Sequence, residues 1–337
     1  TCWCFATISF VEAEMLRMGQ PEVDLSEMFV VHNAYLDKAD SYIKLHGKAN
    51  FSAGGQSHDV MDQLRKHGAV PESVYPGMIP GEKRHNHGEL SRVLDGMLEG
   101  VLKKRWEDRV TPQWPLALNA VLDVYLGKLP QEFEYQGQKY TPQSFLKDYM
   151  KFNPDDYVEL TSYNHHPFYT PVRLEIPDNW TFNDQYYNVP IDELEQVINH
   201  ALKNQFTVAW DGDVSEKEFS TRETGYAIVP LKDWEDKNER ERNEKPTEPV
   251  AEKEVTQEMR QETFADFSTT DDHLMHIVGM ARDQKGTPFY LTKNSGGTER
   301  KNDGYVYMSR AYVRLKTMAV MVHKDALPAE LRAKLGL

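Results

Sequence analysis

The apolar residues of this chain change period along its length, and that change limits the folds open to it. Near the start they recur at three- and four-residue steps. Phe5, Ile8, Val11, Met15 and Met18 predict a mostly buried helix over 2–18, stopped at Gly19. A second helix is expected from about Ser26, with Met28, Val31, Tyr35 and Leu36 on one face. Gly54-Gly55-Gln56 reads as a loop opening a third helix, whose Val60, Leu64 and His67 share a face and which Gly68 ends. Residues 88–150 look helical and amphipathic, broken by Pro112 and Pro115. Towards the other end, runs at 206–210, 273–281, 289–293, 305–309 and 317–323 read as strands. Helices first and antiparallel strands last predict an α+β fold of two lobes.

Between these stretches, 133–140 reads as a short hairpin turned at Gly137, and Thr141-Pro142 as a helix start. Residues 153–190, rich in Tyr, Asn, Asp and Pro, are expected to be ordered but irregular, and 191–202 helical. Over 232–262 the composition shifts to Glu, Lys, Arg, Asn and Pro, which predicts a charged, solvated surface loop.

The chain carries Asp+Glu 53 against Lys+Arg 39, a net charge of −14. Such a surface repels phosphate backbones and argues against nucleic acid as a partner. No apolar run approaches the roughly 20 residues that cross a bilayer, so no membrane span is expected. The two cysteines, Cys2 and Cys4, sit two apart on one predicted helix and point away from each other. The fold is therefore expected to stand without disulfides, which suits a reducing compartment without excluding an oxidising one. The sequence opens on Thr1, so a targeting segment cannot be read from it.

Cys2 falls at the first turn of the first helix. The positive end of the helix dipole and its free N–H groups stabilise a thiolate there and can hold an oxyanion. A lone cysteine is more often a small buried apolar group, and that reading is assigned to Cys4. For Cys2 both readings stand on position alone. His85-Asn86-His87 and His165-His166 lack cysteine partners or a second pair at ligand spacing, and they read as loop histidines with no metal and no cofactor. Asp155-Asp156 and Asp271-Asp272 read as turn or cap carboxylates. Trp3, Trp106, Trp114, Trp180, Trp210 and Trp234 read as core or lobe-interface residues.

Cys2-Trp3, followed by Phe5-Ala6-Thr7, resembles the active-site helix of papain-like cysteine peptidases. Asp272-His273, running to Val278-Gly279, is similar to that family's histidine strand. Lys293-Asn294-Ser295 is similar to its asparagine string, and Gly304-Tyr305-Val306-Tyr307 to the strand after it. Further matches point to the bleomycin hydrolase and bacterial aminopeptidase C branch. These are Gly54-Gly55-Gln56, Gly68 to Pro71, Leu126 to Pro130, Thr141 to Phe145, Asn188 to Asp192 and Val208 to Val214. About 270 residues separate Cys2 from His273, an excess over papain that a helical insertion accounts for.

The resemblance implies one catalytic unit over 1–337. It would comprise a helical lobe with the nucleophile (1–80), a helical and irregular insertion (81–190) and a β lobe with the histidine and asparagine (191–337). Cys2 would be the nucleophile, His273 its base, and Asn294 the residue that orients the histidine. His276, three residues on, is the rival base, and the Val278-Gly279 register favours His273. Asp272 would tune the base. Gly54, Gly55 and Gln56 would bind substrate. The implied reaction is peptide hydrolysis through a thioester, by an aminopeptidase forming hexameric homo-oligomers in the cytoplasm; a signal peptide ahead of Thr1 would instead imply the periplasm or secretion.

Three departures qualify this. The family's glutamine oxyanion donor would precede Thr1. Gly296 stands where the family has a tryptophan over the Asn–His hydrogen bond. The C-terminal arm that makes the branch strict aminopeptidases is short here, which leaves endopeptidase or dipeptidyl-peptidase action open. A catalytically weakened peptide-binding or scaffold homologue is the alternative. An acyl transferase of the same fold would want Asp at Asn294.

Overall fold

The computed structural model describes residues 1–79, 81–82, 84–103 and 109–337. They group into two compact units. Thr1, Trp3–Asp155 and Pro177–Asn183 form the first; Cys2, Asp156–Ile176 and Asp184–Leu337 form the second.

The first unit is helical. It contains α1 (Cys2–Arg17), α2 (Glu27–Lys44), α3 (Ser57–His67), α4 (Gly88–Leu102) and α5 (Trp114–Leu126). A hairpin of β1 (Phe133–Tyr135) and β2 (Gln138–Tyr140) follows. A short α6 (Pro142–Ser144) then runs into a wider turn at 145–150. Local sequence fixes the boundaries. Ser26 caps α2 by accepting the Phe29 N–H at 3.0 Å. Gly68 ends α3 at φ +82°, where an added Cβ would strike the Pro142 carbonyl at 2.2 Å. Met28, Val31, Ala34 and Tyr35 of α2 are buried, as the helical period requires. Residues 177–183 pack into this unit through Trp180, whose indole N–H donates to Asp59 at 2.8 Å.

The second unit is built on one ten-stranded sheet. Its strands are β3 (Tyr157–Thr161), β4 (Thr170–Val172), β5 (Tyr186–Asn188), β6 (Val208–Gly212), β7 (Phe219–Ser220), β8 (Tyr226–Ala227), β9 (His273–Arg282), β10 (Pro288–Lys293), β11 (Tyr305–Ser309) and β12 (Thr317–His323). They lie in the order β4-β5-β3-β12-β6-β9-β10-β11-β8-β7. The helices are α7 (Ile191–Lys203), α8 (Glu239–Asn243), α9 (Gln257–Ala265), α10 (Arg310–Lys316) and α11 (Ala329–Leu335). Leu194, Val197, Ile198 and Ala201 of α7 pack with Trp210, Met275, Ile277, Val306, Met308, Val320 and Val322 into the main core.

Two expectations need correction. Residues 153–190 are not irregular throughout, since they carry β3, β4 and β5. All five residues of β3 are buried, so it shows no polar alternation, and the other two strands are only three residues long. The charged stretch 232–262 is a surface loop only in part. It ends inside α9, where Arg260 is fully buried, and Val255 just before that helix is nearly so. Arg260 donates to the carbonyls of Ser162, Arg314 and Leu315, and its guanidinium lies 4.6 Å from the Tyr163 ring centre. A residue read as solvated is thus a buried cation, held by carbonyl oxygens on Nε and Nη1 and by the Tyr163 ring. Trp3, Trp180 and Trp210 are buried and Trp114 and Trp234 partly so, while Trp106 lies outside the described residues.

Among the described residues no helix is long and apolar enough to cross a membrane. Both cysteines are free thiols.

Candidate active site

Cys2 occupies the first position of α1, where Thr1 is the cap residue and the helix amides are still without helical partners. His273 opens β9, opposite Gly212 of β6. A side chain at 212 would collide with the Lys316 carbonyl at 2.2 Å and the Trp210 ring at 2.4 Å, so glycine lets the strand lie flat beside the histidine. Asn294 follows β10 directly, and β10 pairs with β9 through Lys293 and His276. Its backbone N–H donates to the Gly304 carbonyl at 3.2 Å. Gly304 has φ +89°, and an added Cβ would meet the Gly297 carbonyl oxygen at 2.8 Å, which ties the 295–304 loop shut behind Asn294.

These elements bring three side chains into one hydrogen-bonded chain. His273 Nε2 lies 2.9 Å from Asn294 Oδ1. An amide oxygen only accepts, so Nε2 carries the proton and Nδ1 is the nitrogen left for the thiol. The Cys2 thiol hydrogen-bonds His273 and also receives the backbone N–H of Leu274. Burial works against a thiolate here. The hydrogen bond to His273, its positive charge and the Leu274 amide outweigh it, and the Cys2 pKa lies below the ordinary thiol value. Burial likewise opposes the imidazolium, but Cys2, Asn294 and Asp272 overcome it and raise His273. The two shifts have opposite signs, as a thiolate–imidazolium pair requires. Cys4 behaves in the opposite way. It is fully buried, its thiol donates to the Glu27 carbonyl at 3.3 Å, and burial pushes its pKa well up.

Asp272 accepts the Val214 N–H at 3.0 Å, and burial with the neighbouring Asp213 raises its pKa to about 6. His276 is buried in the sheet and its pKa falls to about 3 through burial and the charge of Lys293. A ring so disposed to stay neutral is a poor partner for a thiolate.

The Gly54-Gly55-Gln56 loop divides in two. Gly55 is buried against Trp3, which a Cβ would approach to 3.0 Å, and a Cβ on Gly54 would overlap Asp178 at 1.7 Å. The Gln56 side chain is fully buried in a capping box at the start of α3, with its backbone N–H on Asp59 Oδ2 at 2.7 Å, so only its backbone is left to face a substrate. Lys38, which sequence reading passed over, donates to the carbonyls of Ser52 and Gly54 and thereby shapes this loop. Its only sequence signal was a lysine in a helix rich in apolar neighbours.

Comparison with known proteins adds four findings. The sequence model of the Peptidase C1-like family matches residues 124–336. Aminopeptidase G of Lactobacillus delbrueckii subsp. lactis is 25% identical over 364 residues, covering 97% of this chain and 79% of the relative. Aminopeptidase C of Streptococcus thermophilus is 23% identical over 374 residues, covering 98% and 79%. The crystal structure of PepW from Lactobacillus rhamnosis HN001 superposes with a TM-score of 0.75 at 21% identity, covering 99% of this chain and 80% of that one.

Proposed function

The chain belongs to the Peptidase C1-like family, and from that membership we propose that it cleaves peptides as an aminopeptidase, with Cys2 as nucleophile, His273 as acid and base, and Asn294 as the positioning residue. Its fold is the papain-like α+β fold, and it is a cysteine peptidase of the aminopeptidase C branch. The observation that carries the residue assignment is the hydrogen-bonded chain Cys2–His273–Asn294 at the head of α1. The Cys2 thiolate attacks the scissile carbonyl carbon, forming the C–S bond while the carbonyl electrons move onto oxygen. Backbone amides at the start of α1 offer that oxyanion donors. Collapse expels the amine, which takes its proton from the His273 imidazolium. Water then attacks the thioester, His273 accepts its proton, and the acid leaves with the thiol restored. Asn294 holds the ring so that Nδ1 faces sulfur in both halves.

An epoxide or halomethyl-ketone thiol trap tests the assignment. Cys2 is expected to be labelled much faster than Cys4, and Cys2→Ala to abolish hydrolysis of peptides with a free amino terminus. Equal, slow labelling of both thiols would remove Cys2 from the role. Gly296 supports a second reading, a weakened peptide-binding homologue. It is exposed, with only Arg300 Nε near a notional Cβ, at 3.6 Å, and leaves the Asn294 side uncovered. That reading predicts tight peptide binding with turnover not restored by Gly296→Trp.

A further inference from the structure

We propose that His165, His166 and Glu175 form a three-ligand site for a borderline divalent cation of the zinc class. The two histidines follow β3 and the glutamate follows β4, so the sequence offers only an adjacent pair. The fold supplies the third donor. His166 Nε2 lies 2.9 and 3.0 Å from the two Glu175 oxygens, and His165 Nε2 lies 3.2 Å from Oε2. Among the described residues these are the three ligand-type side chains whose donor atoms converge within 4.8 Å. A tetrahedral zinc with bonds of about 2.0–2.2 Å holds its ligands about 3.3 Å apart, close to the separation of each histidine Nε2 from the Glu175 carboxylate. Two imidazoles and a carboxylate suit zinc, with a fourth position open to water.

Gln261 of α9 accepts the Asn164 backbone N–H at 2.6 Å, and a backbone N–H can only donate. The Gln261 atom there is therefore its oxygen, and His165 Nδ1, 3.2 Å from the same oxygen, must be the donor. With Nδ1 held by Gln261, the ring aims Nε2 at the Glu175 carboxylate, where a proton or a metal cation can stand between the two. A ring held by its second nitrogen in this way is how metal-ligating histidines are oriented.

The surroundings are ordered before any ligand arrives. The Asn188 side chain donates to the carbonyls of Tyr163, His166 and Pro167 at 2.8, 3.0 and 3.3 Å, and its oxygen accepts the Tyr163 N–H at 2.8 Å. The His165 ring stacks on Phe264 of α9, with centroids 5.3 Å apart and planes 8° from parallel. Phe264 packs in turn on the small core of Tyr163, Leu174, Tyr186 and Met318. A bound cation would staple the loops after β3 and β4 at the edge of the sheet.

The test uses the whole chain with its thiols alkylated by iodoacetamide, so that the Cys2–His273 pair takes up no metal. After chelator treatment it is titrated with Zn²⁺ against a chromogenic chelator. One equivalent is expected to bind. His166→Gln and Glu175→Gln are expected to weaken uptake at least about tenfold, and Gln261→Leu, which frees the His165 ring, by about tenfold. Zn²⁺ should raise the melting temperature of the parent and not of those variants. Co²⁺ should give the parent a visible spectrum of nitrogen and oxygen ligation, a readout that needs no variant to fold. A parent that takes up no Zn²⁺, or folded His166→Gln and Glu175→Gln proteins that bind it with the parent's affinity, would overturn the proposal.

Discussion

At the residue scale, the candidate site rests on opposite displacements of two neighbouring groups. The Cys2 thiol is held below its ordinary pKa and the His273 ring above its own. The reactive ion pair therefore exists above the pKa of the first and below that of the second. Alkylation of Cys2 is expected to persist at acidic pH where ordinary thiols are inert, while peptide turnover falls again as pH rises through the His273 value. Asn294 is one of the groups raising His273, so Asn294→Ala should draw the alkaline limb to lower pH. It should also lower kcat by at least about tenfold, the rate equivalent of one hydrogen bond of ~1.4 kcal/mol. A pH–rate profile of the variant that superposes on the parent's would refute that role. Cys2 became a candidate only through the family pattern around it, since a cysteine at a helix start is more often a small buried apolar group, and His273 and Asn294 were legible because their strand contexts carry the same pattern. The burial of Gln56 was not, because a capping box and a substrate-facing amide have the same sequence signature.

At the element scale, local period was a good guide wherever one face met water. Helices α1, α3 and α7 begin and end close to where spacing and caps put them, and α2 begins there. Strand β3 was missed because burial on both faces removes the alternation that marks a strand. Helix α10 was missed because its seven residues, Arg310–Lys316, offer barely two turns between two obvious strands. Helix α9 was obscured by composition, since Arg260 looks solvated in sequence and is fully buried in the fold. Its guanidinium donates to three backbone carbonyls, of which Ser162 also accepts from the Gln257 amide at 3.3 Å. Arg260→Leu keeps much of the volume but removes a buried donor from all three oxygens. A loss of about 2–5 kcal/mol in unfolding free energy is expected from denaturant melts, against less than about 0.5 kcal/mol for the exposed Arg240→Leu. Equal losses at the two sites would mean that water reaches the carbonyls of Ser162, Arg314 and Leu315.

At the scale of the whole molecule, the acidic balance seen in the sequence becomes a stability profile, because some of those acids are held against their charge. Burial and the neighbouring Glu12, Glu72 and Asp24 push Glu27 up to about 8, and burial with Asp24 pushes Glu72 to about 7. Both pKa values in the folded chain exceed the unfolded value of about 4.3. The folded state keeps protons that the unfolded chain has released, so stability falls as pH rises through that window and the loss is complete only above 8. Two histidines act on the other flank. His276 and His87 are lowered by burial to about 3 and about 4, so the unfolded chain takes up protons below about 6.5 that the folded one refuses. Stability must therefore decline in both directions from mildly acidic pH. Alkylating Cys2 removes the opposing contribution of the thiolate pair and leaves this profile to be read directly. Glu27→Gln should then change the melting temperature little at pH 5, where the parent's Glu27 is already protonated. It should raise it at pH 8.5, where the parent must carry a half-buried charge among three other acids. An equal effect at both pH values would show that Glu27 ionises as freely in the folded protein as in the unfolded chain.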